Sequence, residues 1–362
     1  MTRSILLITH PVDLGNAAFE RNLRATFRLA GDLEHVPFAA GDLGTNYGDR
    51  TAWAISLLRR AQETLALRDV FARARREART VVIQGISAAF FTTPLRRGLR
   101  TFIIVDWTRK LYEPILGLPM SPSWLTWLHR QTMLSAEAII CLTDAVSASV
   151  RLDYRLPKHR VWRARMPFDV DKSRVSTRLG DPLRILFVGG DLRRKGGDIL
   201  LDWYASRGRT RATLTLVTPA EITPPTGVRL LRNDPRAGGF ADYADYDVLA
   251  LPSRCDAYPQ VLGEAASAGL AIATTAHALG APEIVEPGCN GFIARSAEEF
   301  KALLDELCAA PPLVEAYKAH SRRRMLAEFT PGACWEGVEQ LIFGDNTGAP
   351  HRRCGAGTVM VT

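Results

Sequence analysis

The chain of 362 residues contains no apolar run approaching the ~18–20 residues that span a bilayer, so no membrane helix is expected. Its six cysteines, at 141, 255, 289, 308, 334 and 354, form no CxxC pair, and no histidine sits at zinc-ligand spacing from any of them. A disulfide scaffold and a zinc module are thereby set aside in favour of reduced, mostly buried thiols. Neither GxxxxGK[ST] nor GxGxxG occurs, which excludes a P-loop and leaves a dinucleotide fingerprint without support. The first apolar run stops at His10-Pro11, too short for a signal peptide, and reads as a buried first strand.

What is present fits a globular protein, with 47% hydrophobic and 23% charged residues. The length suits two domains of roughly 150–200 residues each. The charge divides unevenly. Residues 1–180 carry 27 Lys and Arg against 16 Asp and Glu, whereas residues 181–362 carry 19 against 22. A basic first half points to an anionic partner: a phosphorylated lipid acceptor, a membrane surface or a nucleic acid. No nucleic-acid motif accompanies the charge, so nucleic acid is not expected. Much of the excess lies in Arg73, Arg75, Arg76, Arg79, Arg96, Arg97 and Arg100, a run whose plainer reading is a solvated helix face.

Short Ile/Val/Leu-rich runs alternate with helical patterns, the rhythm of parallel sheets built from βαβ units. The first half predicts strands near 4–9, 80–84, 101–106, 138–143 and 161–165, with helices near 16–30, 51–78, 122–135 and 144–153. A polar stretch from Lys172 to Pro182 reads as a linker. Strands then follow near 184–189, 212–217, 228–231, 247–251 and 270–274, with helices near 197–207, 241–245, 262–269, 297–309 and 312–328. A last helix, 331–343, follows the C-terminal strands, and the Gly-, Pro- and Arg-rich tail from Gly344 is expected to be disordered. The fold class is α/β, two Rossmann-like domains facing across a cleft, with boundaries at 1–175 and 183–330. Ligands of open α/β sheets bind at the carboxyl ends of the strands, so chemistry is sought just after each strand.

Three segments stand out there. In the first, a strand ends at Gly189-Gly190, Arg193-Arg194-Lys195 follow, and Gly196-Gly197 open a helix. Glycines admit a ligand to the backbone, the helix start offers free N–H groups, and the cations suit a diphosphate. In the second, Leu251-Pro-Ser-Arg-Cys-Asp256 leads to a small-residue helix near Glu264, with seven residues between the two acids. The third, Gly280-Ala-Pro-Glu283 through Asn290-Gly291-Phe292, has the Gly and Pro content of tight turns. Each taken alone has a structural explanation; their order is the specific signal.

That order, strand-GG-basic-KG, then PSxxDxYPQVxxEAxxxG, then GxPEIVExGxNGF, resembles the donor domain of retaining family 4 glycosyltransferases, which have the GT-B fold. The resemblance runs from about 184 to 328 and is densest over Asp247–Phe292. It implies a nucleotide-sugar donor, with the first acid of an E-x7-E motif near the transferred sugar and the second on the ribose. Those roles fall on Asp256 and Glu264, and the phosphate-contacting Lys falls on Lys195. Gly189, Gly190, Arg193, Arg194, Tyr258, Gln260 and Val261 complete the implied donor set. Two departures are visible: Asp in place of the first Glu, and Gly190 where the family commonly has Arg. Both leave a weakened or donor-shifted site open.

The first half resembles the acceptor domain more loosely. Gly15-Asn16 stands where a glycine pair often follows the first strand, and Asp106, after the strand at 101–106, is the candidate for positioning the acceptor. A helix-capping role is the plainer alternative for Asp106. The resemblance implies retention of configuration, a sugar, lipid-linked or small-molecule acceptor, and no resident cofactor. Asp169-Val-Asp171 and Asp245-Tyr-Asp247 match a metal-binding DxD pattern but lack its sheet context, so no metal is expected. Trp124, Leu125, Trp127 and Leu128 fit core packing, with a membrane-surface helix as the alternative. A cytoplasmic protein, peripheral at the inner face of the membrane in the second case, is the expected setting. The rival functions are a nucleotide-sugar-binding paralogue without turnover and a nucleotide-sugar epimerase of similar architecture.

Overall fold

A computed structural model describes residues 3–9, 13–38, 60–171, 173–232 and 242–344, with side chains of 13–17 set aside. The first half runs β1 (Ser4–Thr9), α1 (Asp13–Phe27), β2 (Asp32–Pro37), α2 (Arg68–Arg76), β3 (Thr80–Gln84), α3 (Ile86–Thr92), β4 (Thr101–Val105), α4 (Arg109–Ile115), α5 (Ser123–Leu134), β5 (Ala138–Cys141), α6 (Asp144–Leu152) and β6 (Val161–Arg163). The second half runs β7 (Leu183–Val188), α7 (Gly197–Ser206), β8 (Ala212–Val217), β9 (Val228–Leu231), β10 (Val248–Leu251), α8 (Gln260–Ser267), β11 (Ala271–Thr275), α9 (Ala281–Ile284), β12 (Gly291–Ala294), α10 (Ala297–Ala309), α11 (Pro311–Glu328) and α12 (Pro331–Phe343).

The strands form two six-stranded sheets, ordered β2-β1-β3-β4-β5-β6 and β12-β11-β10-β7-β8-β9. Every strand pairing is parallel. Each order reverses direction once, beside β1 in the first sheet and between β7 and β10 in the second. Such a crossover point opens a crevice at the strands' carboxyl ends. Strand side chains alternate between faces, so Leu6, Ile8, Val81 and Ile83 enter one core while Ile5, Leu7 and Val82 enter another. That second core continues through Phe27, Phe168 and Trp335 into the C-terminal half. Helix α12 packs back on α1, with the Trp335 ring edge-on to Phe27 at 5.9 Å. The halves therefore share apolar packing.

Three features differ from the sequence reading. Strand β2 was not expected, because Asp-Leu-Glu-His-Val-Pro is a half-exposed edge strand with little apolar signal. The short helices α3 and α4 were also missed, each too brief for a 3.6-residue period to emerge. The helical pattern at 51–78 breaks at Leu67, and its residues 51–59 lie outside the described part. So do His10-Pro11, Lys172, position 241 of the helix read at 241–245, and the tail beyond Gly344.

The arginine run is largely absorbed by the fold. Arg73 pairs with Glu34, Arg79 with Asp32 at 2.8 Å, and Arg100 with Glu137 at 2.9 Å. Arg75 donates to the Leu95 and Arg97 carbonyls, both at 3.0 Å. Arg96 is buried against Ser135 and Thr132, and burial lowers its pKa to about 10. All five side chains are thus engaged with neighbouring parts of the first half.

The core reading of the tryptophans is overturned. Trp124 and Trp127 are 61% and 59% exposed, and Met133 takes the buried side of α5. Trp107, Leu116 and Met120 are exposed in the same stretch.

Candidate donor and acceptor site

The crossover between β7 and β10 places the loop at 189–196 beside the loop at 252–259. Gly196 makes the approach possible. Its φ is 78°, and a Cβ there would lie 1.9 Å from the Pro252 carbonyl oxygen. No other residue type fits. Hydrogen bonds then tie the loops together: Arg254 N to Arg194 O at 2.8 Å, and Arg194 Nη1 to Cys255 O at 2.9 Å. The third segment joins from β11, where Asp256 N donates to His277 O at 3.1 Å and Leu279 N to Asp256 O at 2.8 Å. All three sequence segments meet at one sheet edge.

At that edge Lys195 and Asp256 form a direct ion pair, both side chains largely buried. Helices α7 and α8 begin there with Gly196 and Pro259 as N-caps, and neither receives a side-chain cap. Helix starts carry a partial positive charge, one element of an anion site, although at α7 Gly197 N already donates to Leu192 O at 2.7 Å and Ile199 N to Gly196 O at 3.0 Å. Gly189 packs on Lys195, 3.1 Å from a Cβ position to Lys195 Cβ, and Gly190 is exposed. Arg193 is exposed, and its carbonyl accepts from Arg254. Arg194 is partly committed to the Cys255 carbonyl. Tyr258 is buried, Val261 packs on the core, and Gln260 Oε1 is buried with no hydrogen-bond partner among the described residues.

Glu264 sits further along α8, where Tyr243 donates to it at 2.5 Å. Burial raises its pKa, opposed by the Tyr243 hydrogen bond and by the charge of Arg21 on α1. Tyr243 carries no local signal, since its partner lies 21 residues away. Gly263, next to Glu264, leaves room for the Phe168 ring. Glu283 of the third segment reaches the other half. It pairs with Arg163 at 2.5 Å and accepts from Asp144 N at 3.1 Å.

On the N-terminal side, Asp106 follows β4 at the strand's carboxyl end. It does not cap α4: Thr108 is the N-cap and accepts from Leu111 N at 3.3 Å. Burial raises the Asp106 pKa to about 6, against the lowering effect of backbone N–H groups of Asp106 and Trp107. Tyr112 of α4 is buried, and the carboxylates of Asp256 and Asp106 and the Arg194 guanidinium act on its hydroxyl. The charges of Asp256 and Arg194, from the second half, thus reach the Tyr112 hydroxyl of the first. Gly15 and Asn16 belong to the first turn of α1, and their side chains lie outside the described part.

The DxD at 245–247 is occupied structurally. Asp247 is fully buried and binds Arg184 at 2.9 Å and Lys318 at 2.7 Å, while Asp245 pairs with Arg174. Burial opposes the charge on Asp247, but Arg184 and Lys318 outweigh it and lower the pKa. Among the described residues, one other group could hold a cation. Glu286, Cys289 and His320 bring their donor atoms within 4.8 Å of one another, at the surface.

Residues 182–310 match the family model described as glycosyl transferases group 1. No curated protein matches the chain in sequence. Among solved structures, the chain is similar to a sucrose-phosphate synthase from Thermosynechococcus elongatus, with 14% identity and a TM-score of 0.71 over 94% of this chain and 98% of that one. It is also similar to Alr3699/HepE from Anabaena, solved with UDP and glucose, at 14% identity and TM-score 0.66 over 94% and 99% of the two chains. WaaG, a glycosyltransferase involved in lipopolysaccharide biosynthesis, gives 17% identity and TM-score 0.64 over 94% and 100%. The chain thus carries a group 1 glycosyltransferase domain in its second half, and as a whole it has the two-domain GT-B fold of glycosyltransferases.

Proposed function

We propose that the chain is a retaining, metal-independent glycosyltransferase that moves a sugar from a nucleotide-sugar to an acceptor hydroxyl. The observation that carries the reading is the Lys195–Asp256 pair, set between two uncapped helix starts at the crossover edge. A diphosphate at the start of α7 meets Lys195, Arg194 and the positive end of the helix dipole. The transferred sugar lies against Asp256, and the ribose against Glu264. As the bond from the anomeric carbon to the diphosphate oxygen breaks, negative charge grows on the leaving diphosphate. The cations and helix start stabilise it, each well-placed donor by about 3–4 kcal/mol in comparable oxyanion sites. The acceptor oxygen bonds to the anomeric carbon on the face the diphosphate leaves, and its proton passes to the leaving group. Asp106 accepts a hydrogen bond from the acceptor hydroxyl and orients it. Closure of the cleft excludes water, which would otherwise hydrolyse the donor.

No step in this mechanism uses a metal, and the commitment of Asp247 to Arg184 and Lys318 supports that reading. The exposed Trp107, Leu116, Met120, Trp124 and Trp127 on a basic half support peripheral contact with an anionic membrane face from the cytoplasmic side. A lipid-linked acceptor fits that surface best among sugar, lipid and small-molecule acceptors.

The test is a thermal-shift screen of UDP-, GDP-, ADP- and dTDP-sugars, because a true donor stabilises the folded chain. UDP-glucose comes first, given the UDP-glucose complex of the Anabaena protein. Turnover with the stabilising donor should persist in EDTA and give a product with the donor's anomeric configuration. Binding without turnover on any acceptor would mark a non-catalytic paralogue. Release of an epimer without acceptor would mark an epimerase.

A further inference from the structure

Tyr112 contributes nothing to the fold through its hydroxyl. The residue is 6% exposed, its ring lies edge-on to Trp107 at 6.0 Å, and its buried Oη has no hydrogen-bond partner among the described residues. A buried hydroxyl left unpaired disfavours folding, and phenylalanine would fill the same space without that penalty. Buried polar atoms of this kind call for a partner that is not part of the chain. Burial, and then the negative charges of Asp256 and Asp106, push its ionisation far up. The group therefore stays a neutral phenol and acts as a hydrogen-bond donor. Its position is equally informative, because Asp256 and Arg194 come from the opposite half of the molecule.

We propose that Tyr112 is the N-terminal half's contact to the transferred sugar, its Oη donating to a sugar hydroxyl oxygen on the side away from Asp256. This rests on the donor reading given above and adds a residue to it. A sugar hydroxyl both donates and accepts, so it satisfies the Asp256 carboxylate and the Tyr112 phenol together. An apolar or purely anionic ligand could not do so. The two halves then share the sugar while the diphosphate belongs to the second half alone. Free nucleoside diphosphate accordingly gains nothing from Tyr112.

The experiment is calorimetric titration of wild type and Tyr112→Phe with UDP-, GDP-, ADP- and dTDP-glucose, and with each matching free diphosphate. For the base that wild type binds best, the variant should lose about three- to tenfold in affinity for the nucleotide-sugar. Its affinity for the free diphosphate should be unchanged, and its ligand-free unfolding midpoint should be equal or higher. Equal binding of nucleotide-sugar by both proteins overturns the role of Tyr112 and leaves the donor site standing. A lowered ligand-free midpoint shows that the hydroxyl serves the fold and overturns it as well. Failure of wild type to bind any of the diphosphates sinks the donor site itself, and Tyr112 with it.

Discussion

On the C-terminal side of the crevice the site is made mostly of backbone. Gly196 lets one loop touch Pro252, and Arg194 and Arg254 bind carbonyls across to the neighbouring loop. Asp256 is fixed through its own N–H and carbonyl to the 277–279 segment. On the N-terminal side two isolated side chains, Asp106 and Tyr112, project from a strand end and a seven-residue helix. The first edge is preorganised by its chain path, and the second depends on burial and on the halves coming together. Rigid backbone suits a diphosphate, whose charge and shape do not vary between donors. Separate side chains suit the transferred sugar and the acceptor, which do.

If that contrast is right, damage on the two sides should differ in kind. Removing the charge at the rigid edge has the largest expected effect. Lys195→Ala should lower kcat by about 100- to 1000-fold and also lower the unfolding midpoint, because Asp256 is left largely buried without its partner, measured by steady-state kinetics beside thermal melts. Glu264→Ala should also abolish turnover, chiefly through weaker donor binding. Normal turnover in either variant would remove the basis for placing the donor here.

Next comes the loop contact itself. Gly196→Ala forces a side chain into a left-handed conformation and against Pro252, and should destabilise the fold by about 3 kcal/mol. Denaturant unfolding measures this, and a neutral result would show that the two loops stand further apart than described.

On the opposite edge the expected effects are smaller. The two tryptophans should matter only at a surface. The double variant Trp124→Ala/Trp127→Ala should bind anionic vesicles about tenfold more weakly, with turnover of a soluble acceptor intact. Vesicle co-sedimentation reads this out, and unchanged partitioning would return the helix to an ordinary surface role.

Asp106 gives the finest test. Its folded pKa of about 6 lies above the unfolded value of about 4, so folding favours the protonated form. Stability from this group therefore declines as pH rises from about 4 through about 6. Asp106→Asn should be more stable than wild type above pH 6 and should lose that advantage toward pH 4. An acceptor-binding carboxylate should also place the acid limb of wild-type kcat/KM near pH 6. That limb should be missing from the variant's lower profile. Identical pH profiles would assign Asp106 to the fold alone.

Legibility in the sequence followed the same division. The alternation of buried runs and helices revealed both parallel sheets, because strands covered on two faces are almost purely apolar. Strand β2 stayed hidden for the opposite reason, being a half-exposed edge. The convergence of Lys195 and Asp256 was readable because glycines, prolines and short loops leave the chain few paths between them. Tyr112, Tyr243 and the Arg163–Glu283 bridge were not readable. Each depends on contact between residues far apart in the chain, and none carries a local pattern. The exposure of Trp124 and Trp127 ran against the expected burial, because periodicity identifies an apolar face without saying what covers it.

The most direct measurement is hydrogen exchange of the backbone amides with and without the stabilising nucleotide-sugar. Slower exchange should concentrate in the starts of α7 and α8, over 190–200 and 254–264, with a smaller effect at the start of α4. Protection confined to other regions, with those two helix starts unaffected, would contradict the account.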